Sequence, residues 1–164
     1  MDAPFIPLSV TLSTISFVLV AQWYLLPRLL ELPLPRALAP ILIFHSFRHM
    51  GLSFLIPGVT AEPLDLRFAE PAAWGDLATA ILAFVALAAL RRGWGIAIGL
   101  VWVFNIVGTV DLVNAVFQGL SHVPEGHLGA TYFIPAVLVP ALLVSHFVVF
   151  VLLARRRAAI TLTA

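Results

Sequence analysis

The sequence predicts an all-α membrane protein, a bundle of five transmembrane helices. Hydrophobic residues make up 62% of its 164 residues and charged residues only 10%, whereas roughly a quarter of the residues in a soluble domain are charged. A membrane-spanning helix needs about 20 mostly apolar residues. The apolar runs divide into five such stretches with short connections. We therefore expect a single integral membrane domain that covers residues 1–164.

The first predicted span covers residues 8–26 and ends before Pro27. Trp23, near that end, has the amphipathic ring that favours the membrane interface. The second predicted span covers residues 37–56. Pro57 ends it, because proline has no N–H to continue the helical hydrogen bonds.

The third and fourth predicted spans cover residues 73–90 and 94–119. Only residues 91–93 separate them, so they should be antiparallel neighbours. Gly95 and Gly99, at the start of the fourth span, have the spacing that permits close backbone approach within the bundle.

The fifth predicted span covers residues 131–154 and contains Pro135 and Pro140 in its first half. Proline is tolerated in a transmembrane helix but bends it, so a kink is expected there. Arg155 is the first of three consecutive arginines that end the span.

The distribution of arginine predicts the orientation. With five spans, seven arginines fall on one side of the membrane and only Arg67 falls on the other. Positively charged loops stay in the cytoplasm, which places the N-terminus outside and the C-terminus in the cytoplasm. The expected location is the cytoplasmic (inner) membrane of a bacterium. The seven arginines are Arg28, Arg36, Arg91, Arg92, Arg155, Arg156 and Arg157.

Two missing residue types exclude several classes of protein. The chain has no cysteine, which excludes disulfides, thiol redox chemistry and thiolate-ligated iron–sulfur clusters. It also has no lysine, so neither retinal nor pyridoxal phosphate can form a Schiff base with it. The sequence has no basic, aromatic-rich surface segment, so we expect no nucleic acid partner.

Ionisable residues lie near the centre of the second span. His45, Arg48 and His49 interrupt its apolar run, and charges at that depth normally face protein or water rather than lipid. At 100° per residue, His45 and His49 share one stripe of a helix, with Arg48 about 60° to the side. These side chains are therefore expected to face one internal cavity. His146 of the fifth span lies at a comparable depth.

The fourth span carries the second polar group. Asp111 and Asn114 share one face, whereas Asn105 lies about 120° away from Asp111. The depths of Arg48 and Asp111 differ by about 9 Å, which an extended arginine can partly bridge. An Arg48–Asp111 ion pair is the expected consequence.

These residues support three classes of function. The first is a protein that binds or translocates a small molecule or ion in a polar cavity between helices, through Arg48, His49, Asn105, Asp111 and Asn114. Its partners are the lipid bilayer, that ligand and a second copy of the chain. No nucleophile has an evident base partner, so no catalytic residue is assigned.

The second class is a membrane redox protein. Histidines on facing helices can bind haem iron from both sides or form a three-nitrogen metal site, and His45, His49 and His146 are the candidate ligands. The third class is a structural or assembly subunit of a membrane complex, in which the buried charges only fix helix packing.

Overall fold

The computed structural model of the protein describes residues 5–124 and 126–161, with side chains as far as Arg155. The side chains of Arg156 and Arg157, which the sequence places with the other arginines, lie outside this described part. Within it, the chain is helical and contains no β-strand. Five helical stretches are long and apolar enough to cross a membrane: Phe5–Glu31, Leu34–Leu55, Leu66–Arg91, Ala97–His122 and Gly129–Arg155. The predicted number of apolar helices is therefore confirmed.

The first stretch consists of α1 (Phe5–Val20), a π-helical turn and α2 (Leu26–Glu31). No residue of α1 is buried within the described structure. This helix lies on the outside of the bundle against the fifth stretch, where the hydroxyl groups of Ser9 and Tyr132 are 2.6 Å apart. The other four stretches supply most of the core residues, and the first supplies Ala21 of its π-helical turn.

The second stretch changes its helical type halfway along. α3 (Leu34–Ser46) is a regular α-helix, and residues Phe47–Leu55 continue it as a 3₁₀ helix, which we call the 3₁₀ segment. A 3₁₀ helix has three residues per turn, so side chains three apart lie above one another. The buried residues of the segment follow this period and are Arg48, Gly51 and Phe54.

The third stretch, α4 (Leu66–Arg91), begins seven residues earlier than predicted. Charged residues and Pro71 made this part resemble a connection. Asp65 instead caps the helix, because its side chain accepts a hydrogen bond of 2.9 Å from the backbone N–H of Arg67. The added turns move Asp76 away from the helix end, to about 15 Å from Leu66 along the axis.

α5 (Ala97–His122) packs against α4, as the short connection predicts. The proposed packing role of Gly95 and Gly99 within the chain is wrong, because a Cβ atom at either position would have no described atom within 4 Å. The fifth stretch is irregular near its two prolines. Residues Ile134–Leu138 are π-helical and lead into α6 (Val139–Thr161).

Two apolar clusters close the bundle at its ends. The first, the arginine-end layer, packs against residues next to Arg28, Arg36, Arg91 and Arg155. The second, the opposite layer, surrounds the start of α4 and the end of the 3₁₀ segment. The arginine-end layer is Ala21, Ala37, Leu38, Ile41, Leu42, Ala83, Ala86, Ala89, Leu90, Ala97, Val101, Phe104, Val148, Val149, Leu152 and Leu153. The opposite layer is Phe54, Leu64, Phe68, Ala69, Ala72, Leu128 and Ile134. Buried polar residues occupy the level between them.

Candidate functional site

Arg48 is the centre of the polar level. It is 1% exposed and donates hydrogen bonds to three oxygen atoms of different residues. Its Nε donates to Oδ1 of Asp76 at 2.7 Å, its Nη2 donates to Oδ2 of Asp111 at 2.5 Å, and its Nη1 donates to the carbonyl oxygen of Gly108 at 3.1 Å. The rigid fork of the guanidinium suits this role, because its donors point in several directions within one plane. Arg48, Asp76 and Asp111 together are called the charged centre below.

The charged centre contains two carboxylates but only one guanidinium. Arg48 carries one positive charge, and the two carboxylates carry two negative charges when ionised, which gives a net charge of −1. The guanidinium is fully buried, and the carboxylate side chains are only 12% and 14% exposed. An uncompensated charge away from water is costly. The centre therefore favours one additional positive charge.

His146 of α6 adjoins the charged centre, and its hydrogen bonds define its tautomer. The Nδ2 of Asn105 donates to the backbone carbonyl of His146 at 3.3 Å, so the amide oxygen of Asn105 faces Nδ1 of the ring at 2.7 Å. Because that oxygen can only accept, Nδ1 carries the proton. Nε2 then presents its lone pair to Nη1 of Arg48 at 3.4 Å.

His45 has the opposite tautomer. The hydroxyl of Ser145 donates its proton to the carbonyl of Leu142 at 2.9 Å, and its oxygen lies 2.9 Å from Nε2 of His45. Since a hydroxyl has one proton, Nε2 of His45 is the donor in this contact. Its Nδ1 therefore carries a lone pair, which is buried without a hydrogen-bond partner among the described residues.

The two imidazole rings are in contact. Their centroids are 4.1 Å apart, with a tilt of 49° between the planes. Phe104 of α5 packs against both rings, with centroid distances of 5.0 Å to His45 and 5.3 Å to His146. The histidine pair thus lies directly next to the arginine-end layer, to which Phe104 belongs.

Three glycines make room for the polar side chains. A Cβ atom at Gly51 would collide with Asp76, one at Gly75 with Asp111, and one at Gly108 with His146 and Thr79. The backbones of the 3₁₀ segment, α4 and α5 therefore touch the ionised groups directly. The site is filled by protein atoms and has no space for even a methyl group at these points.

Two predicted site residues lie outside this arrangement. His49 is exposed, and its Nδ1 lies 2.8 Å from the carbonyl oxygen of Ser46. The predicted stripe assumed 100° per residue, whereas the 3₁₀ segment turns by about 120° per residue and moves His49 away from His45. Asn114 is also exposed, on the outer surface of α5. The other predicted residues, Asn105 and Asp111, do meet Arg48 and His146.

Asp76 is the residue that the sequence analysis missed. The predicted third span begins at residue 73, so Asp76 falls near its start, and no role was assigned to it. A signal was present, because a long, mostly apolar run follows Asp76 and the helix begins ten residues before it, at Leu66. An acidic residue at that depth requires a cation nearby, and Arg48 was the available one.

The donor atoms of this site do not fit the predicted haem or metal centre. The two nitrogens of His146 face Asn105 and Arg48, and Nε2 of His45 faces Ser145. Of the four ring nitrogens of His45 and His146, Nδ1 of His45 is the one without a hydrogen-bond partner among the described residues. The contact between the two rings leaves no space between them for a porphyrin. Among the described residues no group of three or more His, Cys, Asp or Glu side chains is placed to hold a metal ion.

The fold and the site together define an all-helical protein with five membrane-length helices and an ion-paired centre buried between them. A family model described as a domain of unknown function, DUF8737, matches residues 5–154. The chain belongs to this family, and the matched range includes the whole charged centre and both buried histidines. No curated protein and no solved structure matches the chain.

Proposed function

We propose that the protein is an integral protein of the bacterial cytoplasmic membrane that binds and translocates a proton at its charged centre. The observation that carries this proposal is the pairing of one guanidinium with two carboxylates, Asp76 and Asp111. One bound proton makes the centre neutral, whereas the unloaded centre keeps a net charge in a region of low dielectric constant.

The packing of the site favours a proton over a larger ligand. Gly51, Gly75 and Gly108 already bring backbone into contact with the polar groups, so an organic molecule would require the helices to separate. A proton needs no additional volume. Ionisable groups inside a membrane bundle are commonly parts of proton relays.

The polar groups extend along the bundle as well as across it. From the centre, Nη1 of Arg48 faces His146, whose ring is hydrogen-bonded to Asn105 and lies at a tilt against the ring of His45. This chain of polar side chains continues from the charged centre toward the arginine-end layer. It provides proton acceptors over a distance that apolar side chains would otherwise occupy.

The two apolar layers act as the barriers in this proposal. Each lies between the charged centre and one end of the bundle, so a proton that enters from either end has to pass one of them. The proton reaches the centre when the opposite layer loosens and leaves when the arginine-end layer loosens. The protein is thus expected to expose the centre to one side at a time.

The arginine asymmetry supports the orientation in this proposal. The arginines at the arginine-end layer outnumber Arg67, which lies at the start of α4 near the opposite layer. Under the positive-inside rule, the arginine end faces the cytoplasm and the N-terminus of the chain faces outward.

Reconstitution into liposomes tests the proposal. An imposed potassium diffusion potential should drive proton uptake in vesicles that contain the protein, read by an internal pH-sensitive dye. Asp111→Asn should reduce this flux by at least tenfold. Asp65→Asn is the matched control, because it removes an equivalent carboxylate outside the centre, and it should retain the flux. Flux equal to that of empty liposomes, or equal flux in Asp111→Asn, would exclude proton translocation through the centre.

A further inference from the structure

Nδ1 of His45 is an unusual atom in this protein. Within the described residues, no other buried side-chain nitrogen or oxygen lacks a hydrogen-bond partner. The ring itself is 0% exposed. A buried polar atom without a partner normally destabilises a protein, so its presence next to a charged centre requires an explanation.

We propose that Nδ1 of His45 is a second proton-binding position, which receives the proton of the charged centre on its way to the arginine end. This inference rests on the proposed proton translocation and names a further residue in it. His45 and Arg48 both lie on the second stretch, one helical turn or about 5 Å apart along its axis.

The charge balance supports this position. His45 contacts His146 of α6, which faces Arg48. The charged groups beyond that contact are Arg48 and its partners, Asp76 from α4 and Asp111 from α5. With His45 neutral, these groups carry a net charge of −1. A proton on Nδ1 brings the total to zero, just as a proton on either carboxylate does.

His146 is less suited to this role, although it lies closer to Arg48. Its Nδ1–H is held by Asn105, and its Nε2 faces the guanidinium at 3.4 Å. A proton on Nε2 would lose that contact and place two positive groups against each other. Nδ1 of His45 has no such donor in front of it.

The transfer is a proton movement without redox chemistry. The O–H bond of the protonated carboxyl group breaks, and an N–H bond forms at Nδ1 of His45. A water molecule that enters while the opposite layer is loosened carries the proton between them. The carboxylate regains its negative charge and the imidazole becomes a cation, so the total charge is unchanged. Nε2–H continues to donate to Ser145 throughout. The proton then leaves Nδ1 toward the arginine end when the arginine-end layer, which includes Leu42, loosens.

Two measurements test this inference, and the first is the liposome flux. His45→Gln should reduce the flux at least tenfold, because glutamine keeps a polar side chain but does not bind a proton. His49→Gln is the matched control, since His49 is an exposed histidine on the same stretch, and it should stay within twofold of the parent. Parental flux in His45→Gln, with the flux of Asp111→Asn abolished, would overturn the role of His45 and leave proton translocation intact.

The second measurement does not depend on a folded variant or on transport. Nitrogen NMR of the ¹⁵N-histidine-labelled protein in detergent distinguishes the two neutral tautomers and the cation. For His45 the expected spectrum is a neutral ring with the proton on Nε2, which gains a proton on Nδ1 when the sample is acidified. A ring that carries its proton on Nδ1 in the neutral form, or one that never becomes a cation before unfolding, would overturn the inference even if His45→Gln failed to fold.

Discussion

Arg48 on the 3₁₀ segment and Asp76 on α4 form an ion pair of 2.7 Å at the level between the two apolar layers. The pair exists because the 3₁₀ geometry directs Arg48 inward and because Gly51, one turn later, lets α4 approach. Asp111 completes the centre from α5. The proposed binding of a proton, the packing of the glycines and the orientation of the histidines all depend on this arrangement.

The free energy of unfolding should depend strongly on the charge balance of the charged centre. Arg48→Leu leaves two buried carboxylates without their cation, and we expect a loss of about 3–5 kcal/mol in the free energy of unfolding. The triple variant Arg48→Leu with Asp76→Asn and Asp111→Asn should recover most of it, since no net charge then remains buried. Thermal or denaturant unfolding in mild detergent measures both. A triple variant as unstable as the single one would show that charge balance is not what stabilises the site.

Gly75 should not tolerate alanine. A methyl group there would overlap the carboxylate of Asp111, and overpacking of this kind costs about 1–3 kcal/mol. Alanine otherwise favours a helix over glycine by about 1 kcal/mol, so the sign of the effect is informative. Gly99→Ala is the control, because its Cβ would meet open space, and it should be neutral or stabilising. Equal unfolding temperatures for the two variants would argue against close packing at Gly75.

Replacing each of the two asparagines of α5 with leucine should have very different effects on the free energy of unfolding. Asn105→Leu removes the acceptor of the Nδ1–H of His146 and leaves a buried donor unpaired, which costs about 1–3 kcal/mol. Asn114→Leu changes an exposed side chain and should leave the free energy of unfolding nearly unchanged. The comparison is made by unfolding both variants in the same detergent. A larger loss for Asn114→Leu would place a contact at Asn114 that the single chain does not contain.

The start of α4 should contribute a pH-dependent increment of stability. Hydrogen bonds and charge from Arg67 lower the pKa of Asp65 from 3.8 to about 2. A carboxylate whose pKa is lowered on folding stabilises the protein above its unfolded pKa, and this contribution is lost as the pH falls toward the folded value. The stability difference between the parent and Asp65→Asn should therefore shrink between about pH 4 and pH 2. A difference that stays constant over this range would contradict the pairing with Arg67.

The sequence alone predicts the coarse architecture well because apolar length is a local property. Five apolar helices and the proximity of Arg48 to Asp111 follow from run lengths and depths along the helices, and the structure contains both. His49 could not be placed correctly, because a change from α to 3₁₀ geometry at Phe47 has no strong local signal. Asp76 was missed for a related reason: Asp65 caps a helix whose first turns look like a polar connection.

The partner of Asn105 also could not be predicted by projecting the sequence onto a helix. The position of Asn105, 120° from Asp111, separates it from the face that Asp111 shares with Asn114. In the structure it forms a hydrogen bond with a different neighbour, the ring of His146. Projection onto one helix gives the direction of a side chain but not the helix that it faces. The tautomers of both histidines depend on such contacts between helices.

The most direct test of the account is the reaction of the protein with dicyclohexylcarbodiimide, an apolar reagent that forms a stable adduct with protonated carboxyl groups in membranes. The side chains of Asp76 and Asp111 are 12% and 14% exposed, and the movement that admits the proton also admits the reagent. Because the adduct is irreversible, it traps the protonated form of either residue whenever that movement occurs. We predict an adduct at neutral pH on one of these two residues, located by mass spectrometry, together with loss of proton flux. An adduct confined to exposed carboxylates such as Asp65, or none at all, would contradict a charged centre that binds an exchangeable proton.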